Sequence, residues 1–597
     1  MNNVFVPCRR KLEGISCIHK LPCIRQSSCK GLIRSLFHFL LFLLNPFIIE
    51  LIYVLMVSVL GYLALRVTKP RTRTSFRPKD FDLFFTSVSS TTVASMSTVE
   101  MEVFSNTQLI IMTILMLAGG EVFTSLLGLQ IARSKIAKFH DNKVDVELSS
   151  SNKASFDRIE FHDNKVDVEL NSSNKASFDR IELGLVTLSQ LESQQKPNIQ
   201  NGLKTFDKDI KYKSIRCLAY VVLGYLLVVH IGGSSLVSLY IILVPSARQV
   251  LKNKGIEIQT FAVFTTVSTF ANCGFVPTNE NMIIFKNNSG LLLLLIPQIL
   301  VGNTIYPVIL RFVIWGLEKI TRRVEFSYIL KNHNELGYSH MLSGLHSLLL
   351  LATVLGFIAV QLILFCAMEW KSEAMDGLSG YQKFVASLFQ TVNSRHAGES
   401  VVDLSIISPA ILVLFVLMMY LPPYTTFDPA IGGCQEGDAS GKEEIRNPRK
   451  TLLESLIFSQ LTYLTIFVIL VCITERQKMM EDPLNFNVLN VVVEVISFDC
   501  LLTFNYLSKN KSLPKVDHLK LKKIWNLCVI CSAYGNVGFT TGYSCKRRLK
   551  ADGDCIDKWY GLVGRFSTEG KFILILVMFF GRLKKFSMKQ GKAWKLS

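Results

Sequence analysis

Charged residues are scarce in this chain of 597 residues: 19% are Asp, Glu, Lys or Arg, whereas 49% are apolar. The mean hydropathy of +0.34 is too high for a water-soluble protein, which distributes its apolar residues at helix or strand period. The same composition excludes an intrinsically disordered chain. The 14 cysteines are too dilute for a disulfide-stapled secreted domain. We therefore predict an integral membrane protein.

Catalytic and metal-binding patterns are lacking as well. The sequence has no convergent His/Asp pair and no metal-ligand motif, so a membrane-embedded enzyme is the weaker alternative and no cofactor is expected. The 65 Lys and Arg against 46 Asp and Glu leave a net charge of +19. These basic residues are spread over loops and tails, where membrane topology and anionic lipid explain them better than nucleic acid does.

Long apolar runs alternate with short polar ones. A helix needs about 20 apolar residues to cross a bilayer, and eight runs approach that length: 36–65, 109–131, 217–244, 291–317, 345–367, 406–421, 456–473 and 560–580. Four shorter segments rich in Ser, Thr, Asn and Gly lie between them, at 81–96, 260–275, 382–399 and 533–543. Their backbone groups must be buried in protein or line a water-filled path. We predict re-entrant pore loops; loops that skim the lipid headgroups are the alternative.

The four short segments share an ending in which Gly or Ser is followed by a larger residue. The endings are Val93-Ala94-Ser95-Met96, Asn272-Cys273-Gly274-Phe275, His396-Ala397-Gly398-Glu399 and Asn536-Val537-Gly538-Phe539. One such match would mean little, but four matches between successive spans favour a pore lining. The predicted fold is an all-α membrane protein with eight transmembrane helices in four pseudo-symmetric membrane-pore-membrane repeats.

Domain boundaries follow from these repeats. Repeats A to D occupy 36–131, 217–317, 345–421 and 452–581; the remaining segments are a basic N-terminus at 1–35, loops at 132–216, 318–344 and 422–451, and a basic C-terminus at 582–597. Positive charge at both ends predicts cytosolic termini, although basic residues between 69 and 79 oppose that topology. The loop 132–216 carries a tandem duplication, 139–160 and 161–182, which we interpret as neutral.

The pore segments resemble those of plant HKT transporters, potassium and sodium carriers of the Trk/Ktr/HKT superfamily. The resemblance is carried by FDLFFTSVS at 81–89, STVEMEVFSN at 97–106 and AYGNVGFTTGYSC at 533–545, and it covers almost the whole chain. It implies four units around one cation path, each supplying a quarter of the selectivity filter. It is also compatible with a homodimer in the lipid bilayer.

By this resemblance, the filter consists of Ser95, Gly274, Gly398 and Gly538. The residues that flank it are Val93, Ala94, Met96, Asn272, Cys273, Phe275, His396, Ala397, Glu399, Asn536, Val537 and Phe539. Serine at the first position resembles the sodium-selective subfamily, whereas glycine goes with potassium permeation. The Cβ and hydroxyl of Ser95 should restrict the backbone and narrow the path. We expect passive Na⁺ transport across the plasma membrane, contributing to sodium and potassium homeostasis and salt tolerance, with K⁺ uptake or Na⁺/K⁺ symport as alternatives.

Several charged residues are candidates for controlling the path. Glu100, Glu102 and Glu399 follow filter positions and would attract cations at the outer mouth; capping of the next helix is the alternative. Arg582 resembles an arginine that the superfamily places below the filter as an electrostatic barrier, and Lys571 is a second candidate. Arg582 could instead begin the basic tail.

Two features near the fourth segment are left open. The predicted pore helix at 487–497 should run straight into the filter, yet an atypical basic insert at 498–532 intervenes. A pore helix must hold its filter rigid, so the insert should weaken or abolish conduction; an unspliced intron or a defective allele would explain it. Cys545 and Cys555 flank an extracellular loop, where a disulfide is allowed but not required by the spacing.

Overall fold

Helices are the only regular secondary structure in the residues that the computed structural model describes. These residues are 46–71, 78–134, 182–420, 424, 460–496, 538–548, 555 and 557–587. Residues 51–597 form one compact unit and residues 1–50 another, of which 46–50 are described. The N-terminal segment, nearly all of the duplication, the insert at 498–532 and the tail from 588 lie outside the described residues. The prediction of an all-α fold agrees with the described part.

The described α-helices range in length from 6 to 62 residues. In chain order they are α1 (Pro46–Val67), α2 (Asp80–Thr91), α3 (Asn106–Gly119), α4 (Glu121–Ser134), α5 (Glu182–Leu243), α6 (Pro245–Lys254), α7 (Ile258–Ala271), α8 (Ser289–Val301), α9 (Tyr306–Thr321), α10 (Val324–Lys331), α11 (Gly344–Glu369), α12 (Gly380–Asn393), α13 (Pro409–Tyr420), α14 (Gln460–Thr474), α15 (Arg476–Glu481), α16 (Val488–Ile496) and α17 (Thr568–Ser587). Short 3₁₀ helices occupy Met101–Val103, Ile283–Phe285, Glu373–Met375, Cys545–Arg547 and Leu562–Arg565.

Three described helices are long and apolar enough to cross a membrane, in α1, α5 and α11. Two further pairs reach that length only together, because α3 and α4 are bent by 55° and α8 and α9 by 80°. The helices α13 and α14 are shorter, with 12 and 15 residues, and α17 is interrupted by charged residues. The described residues therefore support up to five spans, and the number eight remains a prediction.

The bends after α3 and α8 lie against the C-terminal ends of the short helices α2 and α7, respectively. Gly119, at the end of α3, lies so close to Thr91 that an added Cβ would overlap its carbonyl oxygen. Gly302 has the same relation to the carbonyl oxygen of Phe270. Only glycine permits this approach of two backbones. Each bend is therefore anchored on the C-terminal end of a short helix, four residues before the predicted filter position.

The short helices α2, α7, α12 and α16 each contact two kinds of neighbour. Within their own stretch of chain, α2 contacts α3, α7 contacts α5 and α8, α12 contacts α11, and α16 contacts α14. Between stretches, α3 contacts α7, α8 contacts α12, α13 contacts α16, and α17 contacts α2. In the second set, each short helix is linked to the next one through the helix that follows it, and the last link returns from α17 to α2. The short helices are therefore linked in a closed ring.

The short helices are polar in sequence yet buried. In α2 the residues from Phe85 to Thr91 are buried, and two of their hydroxyls bond as follows within the helix: Ser90 Oγ donates to the Thr86 carbonyl at 2.9 Å and Thr91 Oγ1 to the Ser87 carbonyl at 2.9 Å. Local bonds of this kind satisfy hydroxyl groups away from water. Ser87 Oγ instead donates to the Ser58 carbonyl, on α1, at 2.7 Å. Such burial does not fit loops that skim the headgroups.

Candidate ion-selectivity site

The four predicted filter positions share one unusual backbone conformation. Their φ angles are all positive: 49° at Ser95, 89° at Gly274, 76° at Gly398 and 73° at Gly538. Glycine adopts this left-handed region freely, whereas a residue with a Cβ loses about 1–2 kcal/mol there. Ser95 is thus the strained member of the set. Val93, two residues earlier, also has a positive φ of 53°, which is unusual for a β-branched side chain and was not predicted from the sequence.

Three of the four segments meet around the Ser95 side chain. A Cβ added to Gly538 would overlap the Ser95 hydroxyl, and one added to Gly274 would lie 3.3 Å from the same oxygen. That Cβ on Gly274 would also overlap the carbonyl oxygen of Ala397, next to Gly398. The filter positions are therefore adjacent, as the motif predicts.

The flanking residues pack closely around these positions. Ten of them are buried: Val93, Ala94, Met96, Asn272, Cys273, Phe275, His396, Ala397, Glu399 and Phe539. The ring centroids of Phe539 and Phe415, on α13, are 5.7 Å apart, which joins the third and fourth stretches. The imidazole of His396 lies 2.8 Å from Thr304 Oγ1, in the bend between α8 and α9. Asn536 and Val537 lie outside the described residues.

Backbone amides of the filter segments are anchored to polar side chains of the short helices. Met96 N donates to Ser89 Oγ at 2.8 Å, Gly274 N to Ser268 Oγ at 3.1 Å, and Glu399 N to Asn393 Oδ1 at 3.1 Å. Each acceptor precedes its filter position by five or six residues. Anchored amides fix the course of the segment, as a filter of carbonyl ligands requires. These anchors were not predicted from the sequence, although the regular spacing of the acceptors is a usable signal.

A buried carboxylate holds the fourth segment. Glu494, on α16, is fully buried and accepts a hydrogen bond from Thr540 Oγ1. Thr540 Oγ1 in turn accepts from the amides of Gly542 and Leu562, each at 3.1 Å. This connection joins the short helix to the filter segment across the insert. The single acid in the apolar run VVVEVI makes Glu494 conspicuous in the sequence but does not indicate its partner.

The three predicted outer-mouth acids have different surroundings. Glu399 is fully buried, and neither carboxylate oxygen has a hydrogen-bond partner among the described residues. Glu100 Oε1 accepts from the backbone amide of Trp559 at 3.2 Å. The following helix α3 is capped by Ser105 and Gln108 through a capping box, so the capping alternative does not describe Glu100 or Glu102.

Glu102 belongs to an ion-pair cluster. Its carboxylate contacts Lys254 Nζ and accepts from the Asn279 amide at 3.0 Å, while Lys254 Nζ also lies 2.6 Å from Glu280. Burial lowers the pKa of Lys254, but the hydrogen bonds and charges of both glutamates outweigh burial and hold that pKa above its ordinary value. Glu102 thus joins the segment after the first filter position to the segment after the second.

The structure separates the two predicted barrier residues. Arg582 is 1% exposed, and its guanidinium donates to the carbonyl of Gly119, at the bend between α3 and α4. Lys571 lies in the first turns of α17 and pairs with Asp82 at 2.8 Å, at the start of α2. Eleven residues of helix place the two about 16 Å apart along the axis. They therefore do not act at one level, and Arg582 is not simply the first residue of a solvated tail.

Replacing Arg582 by alanine is expected to raise the cation current roughly two- to tenfold, because a buried positive charge repels cations at close range. Whole-cell current normalised to surface protein measures the effect. Arg582→Lys keeps the charge and should leave the current low, and Lys571→Ala controls for loss of charge from the same helix. An equal rise in both alanine variants would contradict a barrier at Arg582.

Comparisons with known proteins agree with the sequence motifs. The TrkH family, described as a cation transport protein, matches residues 199–426. The sodium transporter HKT1 of Arabidopsis thaliana is 50% identical over 89% of this chain and 92% of its own length. Cation transporter HKT1;3 of Oryza sativa is 44% identical over 100% of both chains.

A comparison with solved structures gives a weaker likeness. The potassium transporter TrkH from Vibrio parahaemolyticus matches with a TM-score of 0.43 and 12% identity, covering 90% of this chain and 83% of that one. The family assignment therefore rests on sequence. With relatives at 44–50% identity over nearly their whole length, the chain belongs to the plant HKT family of cation transporters and is a membrane transporter, not an enzyme.

Proposed function

We propose that the chain conducts Na⁺ selectively and passively across the plasma membrane, through a central pore that four repeats surround. The observation that carries this proposal is the set of four left-handed filter positions, three of them glycine and one Ser95. The side chain of Ser95 lies against Gly538 and Gly274. It fills space that a fourth glycine would leave open, which disfavours the larger K⁺ ion more than Na⁺.

The contacts between helices support a pore built from repeats. The helix that follows each short helix contacts the next short helix: α3 contacts α7, α8 contacts α12, α13 contacts α16, and α17 contacts α2. In such a ring, every short helix contacts a helix from another stretch of the chain. Na⁺ would pass the ring and then the level of Arg582, whose guanidinium reaches the bend at Gly119.

The proposal also includes an orientation and an assembly. The termini are placed in the cytosol because both are basic, the filter opens to the outside, and Na⁺ uptake or retrieval would contribute to salt tolerance. A homodimer in the lipid bilayer is the proposed assembly, on the resemblance alone. The mass of the solubilised protein measures it.

The reversal potential of the current in a heterologous cell tests the ion selectivity. External Na⁺ is replaced stepwise by K⁺, and uninjected cells serve as the control. A reversal potential that follows Na⁺ and ignores K⁺ supports the proposal. One that follows both ions favours the alternative of K⁺ uptake or Na⁺/K⁺ symport, and shows that one serine does not set the selectivity. The relative from Arabidopsis thaliana is named a sodium transporter, which agrees with the first outcome.

Deleting residues 498–532 is expected to increase the current severalfold relative to the full chain, because a shorter connection restrains the filter more tightly. The hydrogen bond between Glu494 and Thr540 joins the two segments that flank the insert, so the shortened connection must still let them come into contact. Currents of the two chains are compared at equal surface expression, and transcripts across this junction are sequenced. Equal currents would contradict the predicted defect in conduction. Transcripts that uniformly encode the insert would contradict the intron interpretation.

A further inference from the structure

The outer end of the fourth filter segment is held by an arginine that no motif identified. One terminal nitrogen of Arg547 donates to the carbonyl of Thr541 at 3.1 Å and to that of Gly542 at 3.2 Å. Hydrogen bonds from a charged donor are stronger than neutral ones. Both carbonyls follow Gly538 by only three and four residues, so Arg547 restrains the segment just beyond Thr540, which bonds to Glu494.

The surroundings of Arg547 keep its guanidinium in this place. Its side chain is partly buried, which lowers its pKa, and the charges of Asp403, Asp482 and Asp557 oppose that effect. An arginine remains charged under all ordinary conditions. The acidic residues therefore favour the charged form of a guanidinium that has two carbonyl acceptors on the filter segment.

The loop that carries Arg547 is itself fastened at its base. Cys545 and Cys555 form a disulfide, which decides the pairing that the sequence left open. The 3₁₀ helix Cys545–Arg547 begins at this disulfide, and the amide of Cys545 donates to Asp557 Oδ1 at 2.6 Å. Asn485 adds two bonds to Ser544, the residue before the disulfide, at 3.0 and 3.2 Å.

We propose that Arg547 is a positioning residue for the fourth quarter of the filter, and that the Cys545–Cys555 disulfide makes the hydrogen bonds of Arg547 to the filter segment depend on the redox state outside the cell. An external dithiol would reduce the S–S bond to two cysteine thiols and become a disulfide itself, with two electrons and two protons transferred. The freed 3₁₀ helix then holds Arg547 less firmly, and the carbonyls of Thr541 and Gly542 gain freedom. This inference rests on the proposed conduction through the filter.

The permeability ratio of Na⁺ to K⁺ tests whether Arg547 and the disulfide affect the ion selectivity of the filter. In Arg547→Ala, and in the double variant Cys545→Ser with Cys555→Ser, the ratio should fall roughly five- to tenfold, the order expected for loss of a charge-assisted hydrogen bond. Arg547→Lys keeps a charge and a donor and should retain part of the selectivity. Lys286→Gln removes a charge from a partly exposed residue whose amine contacts the Asp376 carbonyl, and should leave the ratio unchanged. If Arg547→Ala changes the current but leaves the permeability ratio unchanged, Arg547 acts through its charge alone, and the proposal is overturned.

Dithiothreitol applied outside the cell tests the redox part. It should lower the ratio of the unmodified protein and leave the double serine variant unaffected, and a lack of effect on the unmodified protein would overturn this part.

Hydrogen exchange of the purified protein gives a readout that does not depend on conduction. The amide of Gly542, which donates to Thr540 Oγ1, should exchange severalfold faster in Arg547→Ala and after reduction. Unchanged exchange at 539–543 would overturn the positioning role even if the chain conducts Na⁺ as proposed. Conversely, a current that follows K⁺ would refute the proposed function while faster exchange still supports the positioning role.

Discussion

Replacing Gly274 by alanine is expected to abolish cation transport. The new Cβ would overlap the carbonyl oxygen of Ala397, which belongs to the neighbouring filter segment. Neither partner can move aside as a flexible side chain would, because both are anchored backbone. The positive φ of 89° adds about 1–2 kcal/mol of strain for any residue with a Cβ. The second and third segments would have to separate, which destroys the filter.

Two glycines provide matched controls for this substitution. Gly255 has a similar φ of 65°, but a Cβ there would meet open space, so Gly255→Ala isolates the effect of backbone strain. Gly356, within α11, has open space and no positive φ, so Gly356→Ala should be neutral. Na⁺ current and surface expression are measured for all three. Normal current in Gly274→Ala would mean that the second and third segments do not meet as described.

Replacing Ser95 by glycine is expected to raise the permeability of K⁺ relative to Na⁺ roughly tenfold, which corresponds to about 1.4 kcal/mol. Glycine removes the strain of the left-handed backbone and the side chain that lies between Gly538 and Gly274. The ring becomes wider and more adaptable, and the larger ion gains more from that change. Reversal potentials in mixed Na⁺ and K⁺ solutions measure it, and an unchanged ratio would remove the steric argument.

Further variants separate the Cβ of Ser95 from its hydroxyl and test the packing. Ser95→Ala keeps the Cβ, so retained Na⁺ selectivity would assign the effect to that atom, and lost selectivity to the oxygen. Gly538→Ser alone should stop transport, because its Cβ would overlap the Ser95 hydroxyl. Combined with Ser95→Gly, the same change places a serine in the vacated space, and transport with partial Na⁺ selectivity should return. A double variant as inactive as the single one would contradict this packing.

The predictions that succeeded concern properties carried by a few consecutive residues. The four endings with Gly or Ser were predicted to line a pore; the structure gives all four positions a positive φ, and their role as a filter stays a prediction. The motif of the fourth segment also predicted the family, which the relatives at 44–50% identity confirm. The predicted roles of Ser95, Glu399 and Arg582 in permeation stay predictions until the currents are measured.

What the sequence missed lies between residues far apart in the chain. The run VVVEVI does not reveal that Glu494 meets Thr540. Neither does any local pattern indicate that Lys254 pairs with Glu102, 152 residues away, or that Arg547 reaches the carbonyls beyond Gly538. Such contacts depend on how helices from different repeats pack, which no short window of sequence encodes.

The two candidate barrier residues illustrate the same division. In the sequence, Arg582 was the barrier candidate by family resemblance and Lys571 a second candidate near the same apolar run. In the structure one pairs with Asp82 at the start of α2 and the other reaches Gly119 at a bend. The sequence by itself determined the membrane class, the helical elements and the glycine positions, because hydropathy and backbone freedom are local properties. The tertiary structure alone decided which charges are paired and which are buried, because both properties depend on neighbours that are distant in the sequence.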